Sequence, residues 1–437
     1  MECNTEIREV RQSELTKWAE PKWEKVVGEL GQDLGEVARE SKALVRERKI
    51  RGAENLLRLV LAYAVCDWSL RLVGAWAAIQ KIAEVSDVAL LYRFCCCGRW
   101  LGMLVMRVLE QRNDYLRQLA GVRLRLMDAT VISRRGSQGT DWRIHASLDL
   151  GKMCLDGVEL TNAHSGESLA RFPARADEIW VCDQGYATPK GLGAALAAGV
   201  RLVIRINWQN LPLQTEQRQP VNLIGWLKTL ACITDCQIFL PTPQGVFPVR
   251  LIVCPLSPAE AEQARQRVRK RCQKKGKQPQ PNTLLAAGFV LLLTNLPPNT
   301  WEAARILWLY RLRWQIELQF KRFKSLLQFD RLRAQDPRLI QTYLLAKLLA
   351  ALLLDRLAQQ AEEDYPALTQ SLQRPLSLWR LHALLWLGIR NLIVGQFSLH
   401  SILAALPSLH RYLCDPPRSR PQQLAWARSV LARLSGI

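Results

Sequence analysis

Two short runs of the sequence place an aspartate directly after alternating apolar residues. Residues 124–128 read LRLMD, and residues 179–183 read IWVCD. Because side chains alternate along a β-strand, each run predicts two core residues and one carboxylate on the same strand face. If the two strands are neighbours, Asp128 and Asp183 come close together, and a divalent cation would relieve their repulsion. Taken singly, either aspartate is more typical of a strand end that begins a turn.

A third acidic side chain lies among cations, on a helix predicted over about residues 300–327. Five polar or charged residues recur there at helical spacing: Tyr310, Arg313, Glu317, Lys321 and Lys324. At about 100° per residue, all but Lys321 fall within an arc of about 60°, and Lys321 lies close to it. Bulky apolar residues surround this face, which favours a site over open solvent. The alternative is a surface helix whose i,i+4 ion pairs contribute a few tenths of a kcal/mol each.

The chain carries a large positive charge. Its 437 residues include 60 Lys and Arg against 39 Asp and Glu, so the net charge is +21. Nucleic acid is the commonest partner of such a chain, and an anionic membrane surface is the other candidate. The most apolar stretch, residues 344–354, is too short to cross a bilayer and predicts a buried helix. The N-terminus lacks the apolar segment of a secretory signal.

Cysteine and histidine usage narrows the chemistry further. The twelve cysteines form no CxxC pair, which favours reduced, buried thiols in a cytoplasmic protein. The five histidines form no ligand-like pair, which argues against a histidine zinc site and against a Ser-His-Asp hydrolase.

The periodicity of the chain changes near residue 123 from helical to strand-like. Before it, Ser86 is a predicted helix cap within a pair of helices that resembles a small helix–turn–helix unit. After it, the predicted order is β-β-β-α-β-α-β, the order of an RNase H-like sheet. The predicted strands are residues 123–128, 142–148, 158–161, 179–182 and 202–206, and the predicted helices are residues 167–172 and 189–198.

This periodicity divides the chain into five predicted parts. They are a helical N-terminal DNA-binding region (1–120), the first part of the RNase H-like core (121–206), a β-rich and basic insertion (207–288), the second part of the core with the Glu317 helix (289–332), and a helical C-terminal region that is a candidate for dimerisation (333–437). Residues 265–277 of the insertion hold eight positive charges and no negative one. This run is typical both of a solvated surface helix and of a phosphate-binding surface, and the sequence leaves the two open.

The pattern Tyr310-x2-Arg313-x3-Glu317-x6-Lys324 matches the YREK signature of IS4-type insertion-sequence transposases, in the DDE superfamily, at every spacing. Residues 126–130 (LMDAT) and 183–187 (DQGYA) resemble the family's two aspartate blocks. The likeness extends over about residues 70–335. One departure is Gln184, where the second block usually has an arginine.

The resemblance implies a DNA transposase that cleaves insertion-sequence ends and joins them to target DNA. Asp128, Asp183 and Glu317 would hold two Mg2+ ions, with Mn2+ as a substitute. The implied DNA contacts are Tyr310, Arg313, Lys324 and the adjacent Lys321. The implied partner is double-stranded DNA, bound by a homodimer in the bacterial cytoplasm, associated with the nucleoid.

Some alternatives remain open at this stage. A flipped DNA base would stack on Trp208 or Trp226, although a packing role is favoured for each. An inactive or domesticated DNA-binding relative is suggested by Gln184 alone, and a nuclease without strand transfer is also consistent with the acids. A membrane role is disfavoured, because the basic run has no adjoining amphipathic anchor.

Overall fold

The computed structural model describes residues 23–366, except 119–122, 135, 136, 138, 177 and 333, together with residues 376–395 and 430–431. Its N-terminal part is helical. The helices are α1 (Trp23–Glu29), α2 (Leu34–Glu40), α3 (Ala53–Val65), α4 (Leu70–Ile79), α5 (Asp87–Cys95) and α6 (Gly98–Gln118). The hydroxyl of Ser86 accepts a hydrogen bond from the backbone N–H of Ala89, so the predicted helix cap is confirmed.

One mixed eight-stranded sheet, with the order β3-β2-β1-β4-β5-β8-β7-β6, forms the centre of the molecule. Its strands are β1 (Arg123–Ile132), β2 (Trp142–Asp149), β3 (Cys154–Asn162), β4 (Glu178–Cys182), β5 (Arg201–Arg205), β6 (Thr234–Thr242), β7 (Gly245–Pro255) and β8 (Phe289–Thr294). The first three strands pair antiparallel, and β4 and β5 run parallel to β1. The predicted strands and the RNase H-like core are confirmed.

Apolar side chains cover both faces of this sheet. Leu124 and Leu126 face a core shared with the long helices, whereas Met127 and Trp180 face a second core. The second core includes α7 (Pro189–Ala197) and α8 (Leu223–Thr229), which begin after the caps Thr188 and Asn222. Strand β1 is therefore buried on both sides, and its register is fixed from both.

The predicted insertion at residues 207–288 adds to the same sheet. Its hairpin β6–β7 pairs with β8, and β8 pairs antiparallel with β5. Two helices follow the hairpin, α9 (Pro258–Gln273) and α10 (Pro281–Ala286). The residues between β5 and β8 thus lengthen the core sheet at the side of β5.

The predicted helix over residues 300–327 is wrong as a single element. The structure has α11 (Ala303–Arg311) and α12 (Trp314–Leu326), separated by Leu312 and Arg313. At the break, backbone hydrogen bonds reach back three residues, from Arg313 to Tyr310 and from Gln315 to Leu312. The α-helical ladder is therefore interrupted although the sequence offers no proline or glycine there.

The predicted helix near residues 167–172 is also wrong. Only one 3-10 turn forms, Leu169–Arg171, and it begins after Ser168, whose hydroxyl accepts a hydrogen bond from the Ala170 N–H. Phe172 is extended because Pro173 follows it, and the residue before a proline is disfavoured in a helix.

Two further helices, α13 (Pro337–Asp364) and α14 (Leu378–Val394), pack beneath the sheet. Helix α13 is long and apolar enough to cross a membrane by length and composition, but 83% of its apolar window is buried inside the protein. The prediction of a buried helix at residues 344–354 is therefore confirmed. The dimerisation role predicted for the C-terminal region stays a prediction, and much of that region lies outside the described residues.

A buried ion-pair cluster holds the amino ends of β1 and β4 together. We call it the ion-pair cluster, and it consists of Arg123, Arg125, Asp149, Asp156 and Glu178. The Arg123 guanidinium lies 2.9, 2.6 and 2.8 Å from the three acids in that order. Arg125 lies 2.7 Å from Asp156 and 2.9 Å from Glu178. Every acid in this cluster therefore contacts at least one guanidinium group.

Ten of the twelve cysteines lie among the described residues, and all ten are free thiols, in agreement with the prediction of reduced cysteines. The prediction that the thiols are buried is correct for only part of the described cysteines. Four of the ten are buried, whereas Cys96 and Cys232 are exposed.

Candidate active site

Three separate elements bring the predicted acids to the same place. Strands β1 and β4 are parallel neighbours, and Leu126 pairs with Val181 and Met127 with Cys182. Asp128 and Asp183 are the next residues in this register, at the carboxyl end of the parallel pair. Glu317 comes from the first turn of α12.

Arg313 contacts two of the three acids, and Tyr310 contacts the third. The Arg313 guanidinium lies 3.2 Å from Asp128 Oδ2 and 2.6 Å from Glu317 Oε1. The Tyr310 hydroxyl donates a 3.0 Å hydrogen bond to Asp183 Oδ1. We call these five residues the acid site. The prediction that Tyr310, Arg313, Glu317 and Lys324 share one face of a single helix was wrong, because the helix breaks at Leu312 and Arg313. The side chains of Tyr310, Arg313 and Glu317 nevertheless meet at the acids.

The two lysines of the predicted site lie apart from the acids. Lys321 is exposed, and its ammonium group lies 4.1 Å from the centre of the Trp314 ring. Lys324 is half-buried near the end of α12 and forms no ion pair with the three acids in the part of the chain described. The DNA contacts predicted for both lysines therefore stay predictions.

The acid site contains more negative than positive charge. Burial, together with repulsion from Asp183 and Glu317, raises the pKa of Asp128 to about 7, although Arg313 opposes the shift. Burial and the neighbouring Asp183 carboxylate raise the pKa of the Tyr310 hydroxyl. Arg313 is the one cation that contacts these acids among the described residues, and its Nε–H is buried without a hydrogen-bond partner.

Two charged residues near the site were missed by sequence reasoning. The Glu167 carboxylate packs directly against Gly185, where an added Cβ would collide with it. Burial raises the pKa of Glu167, and the Asp183 charge raises it further. Arg205, at the end of β5, is close enough to Tyr310 to lower its pKa against the effect of burial. Arg205 had a signal in the sequence, because it ends the parallel strand beside β4, whereas Glu167 lies in a loop without one.

The donor chemistry of the acid site fits a divalent metal, since carboxylate oxygens are preferred ligands of Mg2+. In this structure the Arg313 guanidinium contacts Asp128 and Glu317 instead. Among the described residues, no group of three His, Cys, Asp or Glu side chains is close enough to hold an ion. Arg313 is thus a stand-in cation between Asp128 and Glu317.

Comparison with known proteins identifies the family. A family model described as Transposase DDE domain matches residues 121–353, more than half of the chain. The putative transposase InsL for insertion sequence element IS186A of Escherichia coli (strain K12) is 38% identical over 354 residues, which cover 79% of this chain and 95% of the relative. The chain belongs to the DDE transposase family.

Two further relatives agree with this assignment. The transposase for insertion sequence element IS421 of Escherichia coli is 38% identical over 355 residues, covering 79% of this chain and 95% of the relative. The transposase for insertion sequence element IS231F of Bacillus thuringiensis subsp. israelensis is 30% identical over 133 residues, covering 30% of this chain and 28% of the relative. The resemblance to IS4-type transposases is confirmed, and the protein is a DNA transposase.

A second buried network fixes the Glu317 helix of the transposase. Asp355 on α13 accepts hydrogen bonds from Gln319 Nε2 at 2.8 Å and, across a 3.1 Å contact, from His382 Nε2 on α14. Gln319 also accepts a hydrogen bond from Arg322, which lies one turn further along α12. The helices after the sheet therefore determine where Glu317 lies.

The aromatic residues proposed for base stacking show packing contacts in the transposase. Trp208 and Trp226 are half-buried and both pack against the second core. The Trp208 Nε1–H is buried without a hydrogen-bond partner. These contacts favour the packing role.

Proposed function

We propose that this transposase holds Mg2+ with Asp128, Asp183 and Glu317, and uses it to cleave DNA at insertion-sequence ends and to join the freed ends to target DNA. The observation that carries the proposal is the convergence of the three acids, from two strands and one helix, on Arg313 and Tyr310. When bound, a pair of metal ions would activate the attacking oxygen and stabilise the leaving one. Mn2+ is expected to substitute.

In this proposal, Arg313 changes partner when DNA and metal arrive. Its planar guanidinium suits a phosphate as well as a carboxylate, and its Nε–H is a spare donor. Moving Arg313 from Asp128 and Glu317 to a DNA phosphate would open those acids to a metal ion. Metal and DNA would then bind cooperatively.

Tyr310 and the nearby cations would hold DNA around the site. Tyr310 would donate to a phosphate or stack on a base when Asp183 binds metal. Lys321, Lys324 and Arg205 would add phosphate contacts beside it. Two element ends must be held together for transposition, so we propose a homodimer on double-stranded DNA, in the bacterial cytoplasm and associated with the nucleoid.

The test is nicking of a duplex that carries the element's own end by the purified protein. We expect nicking to require Mg2+ and to stop with a chelator. Glu317→Gln keeps the size of the side chain and removes its charge, so it should slow nicking by at least about a thousandfold, or about 4 kcal/mol of barrier. Glu302→Gln, at the exposed start of α11, is the matched control. Unchanged nicking by Glu317→Gln would remove Glu317 from the proposed site.

Gln184 supports one alternative, a DNA-binding relative without catalysis, because it replaces an expected cation next to Asp183. Binding of end DNA with no cleavage in Mg2+ or Mn2+ would favour that alternative, and recovery of cleavage in Gln184→Arg would identify the cause. A strand-joining assay separates transposition from simple nuclease activity.

A further inference from the structure

A stripe of positive charge runs along the second half of α9 and continues to Lys274, the residue that caps its end. Arg267, Lys270, Arg271 and Lys274 recur at i, i+3, i+4 and i+7, and we call them the α9 stripe. At about 100° per residue they fall within an arc of about 100°. All four are exposed, so one side of α9 presents a continuous row of cations to solvent.

The opposite side of α9 packs against the protein, so the stripe faces solvent. Ala261 is buried, Val268 is half-buried, and Arg265 donates a hydrogen bond to the carbonyl of Leu284 in α10. The start of α9 is a full capping box between Ser257 and Glu260. The stripe is therefore carried on a capped helix that is packed on one side.

The stripe has no counter-charge within the described part of the chain. Two other cations of α9, Arg265 and Arg269, pair with Glu262. The four stripe residues have no such partner, although spacings of three and four residues bring like charges together and disfavour the helix. The helix dipole accounts for positive charge in the last turn, but Arg267 lies before that turn. A ligand with matching negative charge explains all four.

The beginning of α9 lies at the same edge of the sheet as the end of β5, because Arg205 pairs with Leu292 and Leu292 pairs with Ile252, six residues before α9 begins. Hydrogen bonds from Ser257, and then the charge of Arg311, lower the pKa of Glu260 in the first turn of α9. Arg311 is the last residue of α11 and precedes the break that holds Arg313. The 16 residues of α9 span about 24 Å, which equals about seven base pairs of duplex DNA.

We propose that the α9 stripe binds the phosphate backbone of the duplex DNA that carries the cleaved phosphate. This inference deepens the proposed function, on which it rests, by naming a second surface for the same DNA. The exposed neighbours of the stripe, such as Gln263, Gln266 and Gln273, are polar, and the apolar side of α9 is already packed. An anionic membrane is therefore disfavoured, because a membrane-surface helix inserts an apolar face.

The test measures the salt dependence of binding to a labelled 30-base-pair duplex of arbitrary sequence, in the presence of a chelator. Phosphate contacts do not depend on sequence, and each contributes about 0.9 to the slope of log K against log salt. The variant carries Arg267→Gln, Lys270→Gln, Arg271→Gln and Lys274→Gln together. We expect its slope to fall by about 3.6, with an unfolding temperature equal to or above that of the natural chain.

Two controls keep this expectation falsifiable. Exchanging Arg and Lys at the four positions preserves the charge and should keep the slope. Removing four exposed cations elsewhere, by Arg39→Gln, Lys42→Gln, Arg201→Gln and Lys228→Gln, makes the same change in net charge and should change the slope by less than about 1. An unchanged slope in the stripe variant, or an equal fall in the second control, would overturn the proposal.

Binding to vesicles of phosphatidylserine and phosphatidylcholine tests whether the stripe binds a membrane instead of DNA. Loss of vesicle binding in the stripe variant with an unchanged DNA slope would assign the stripe to a membrane and overturn the proposal. The duplex carries no element end and no metal is present, so this experiment does not depend on the three acids. Failed nicking with the expected fall in slope would overturn the proposed function and leave the stripe as a DNA-binding surface.

Discussion

The ion-pair cluster and the acid site lie at opposite ends of the segment in which β1 and β4 pair, and they differ in how their acids are neutralised. In the ion-pair cluster, two guanidinium groups contact three acids, and Arg125 also stacks on Trp180 with 5.5 Å between the guanidinium carbon and the ring centre. In the acid site, one guanidinium contacts two of three acids, and the third accepts a bond from a neutral hydroxyl.

Burial follows the same division. The side chains of Asp156 and Glu178 are 0% and 2% exposed, whereas those of Asp128 and Glu317 are 17% and 29% exposed. A closed cluster in which every acid contacts a guanidinium group joins neighbouring strands and leaves no room for a ligand. An open cluster with excess negative charge has the properties of a binding site for cations. The comparison therefore separates structural acids from candidate catalytic acids within one sheet.

The largest expected effect is on the ion-pair cluster. Asp156→Ala leaves the buried guanidinium groups of Arg123 and Arg125 short of a partner, so the free energy of unfolding should fall by about 3–5 kcal/mol. Denaturant unfolding measures the change, with the exposed Asp330→Ala as the control. A loss below about 1 kcal/mol would show that Arg123 and Arg125 do not depend on Asp156 as a partner.

Removing the charge of Asp128 is expected to raise the free energy of unfolding, whereas removing that of Asp156 lowers it. Its pKa is about 7 in the folded protein and near 3.8 when unfolded, so the folded state binds the proton more tightly. The free energy of unfolding should therefore fall as the pH rises from about 4 to about 7. Asp128→Asn removes this fall and should be more stable than the natural chain at pH 8, by on the order of 2 kcal/mol. If the free energies of unfolding of the natural chain and of Asp128→Asn change with pH in parallel over this range, Asp128 is not a buried carboxylate that lacks sufficient neutralising charge.

The smallest effect expected is that of metal on stability. Mg2+ at ten times its dissociation constant should stabilise the natural chain by about 1.4 kcal/mol, which raises the unfolding temperature by about 2 °C. The double variant Asp128→Asn with Glu317→Gln should show no such rise, whereas Asp156→Ala should retain it. Equal shifts in all three proteins would place the bound metal outside the acid site.

The sheet and two of the acids were predictable because their signals are local. The runs at residues 124–128 and 179–183 have the same alternation, and in the structure they pair in register. Asp128 and Asp183 both follow the last residue pair of this parallel register, Met127 with Cys182, so the pairing itself brings them to the same level. The family signature then added Glu317 through its spacing alone.

The remaining features depend on contacts across the fold, so the local sequence does not indicate them. The break before α12 has no proline or glycine, and its geometry coincides with the contacts of Arg313 to Asp128 and Glu317. Glu167 lies against Gly185 only because the loop after β3 folds over the second aspartate block. The support of α12 by Asp355 joins residues 36 positions apart.

The network around Asp355 also sets when the site can form during protein synthesis. Asp128 is made early, but Glu317 is held in place by Gln319, Asp355 and His382, and the last of these is made 254 residues after Asp128. At roughly 5–20 residues per second, that interval is on the order of 10–50 s. A chain that stops short of Asp355 lacks the support of Glu317 and also lacks the end of α13 and all of α14, which complete the core on one face of the sheet, so premature termination removes the acid site and part of its scaffold together.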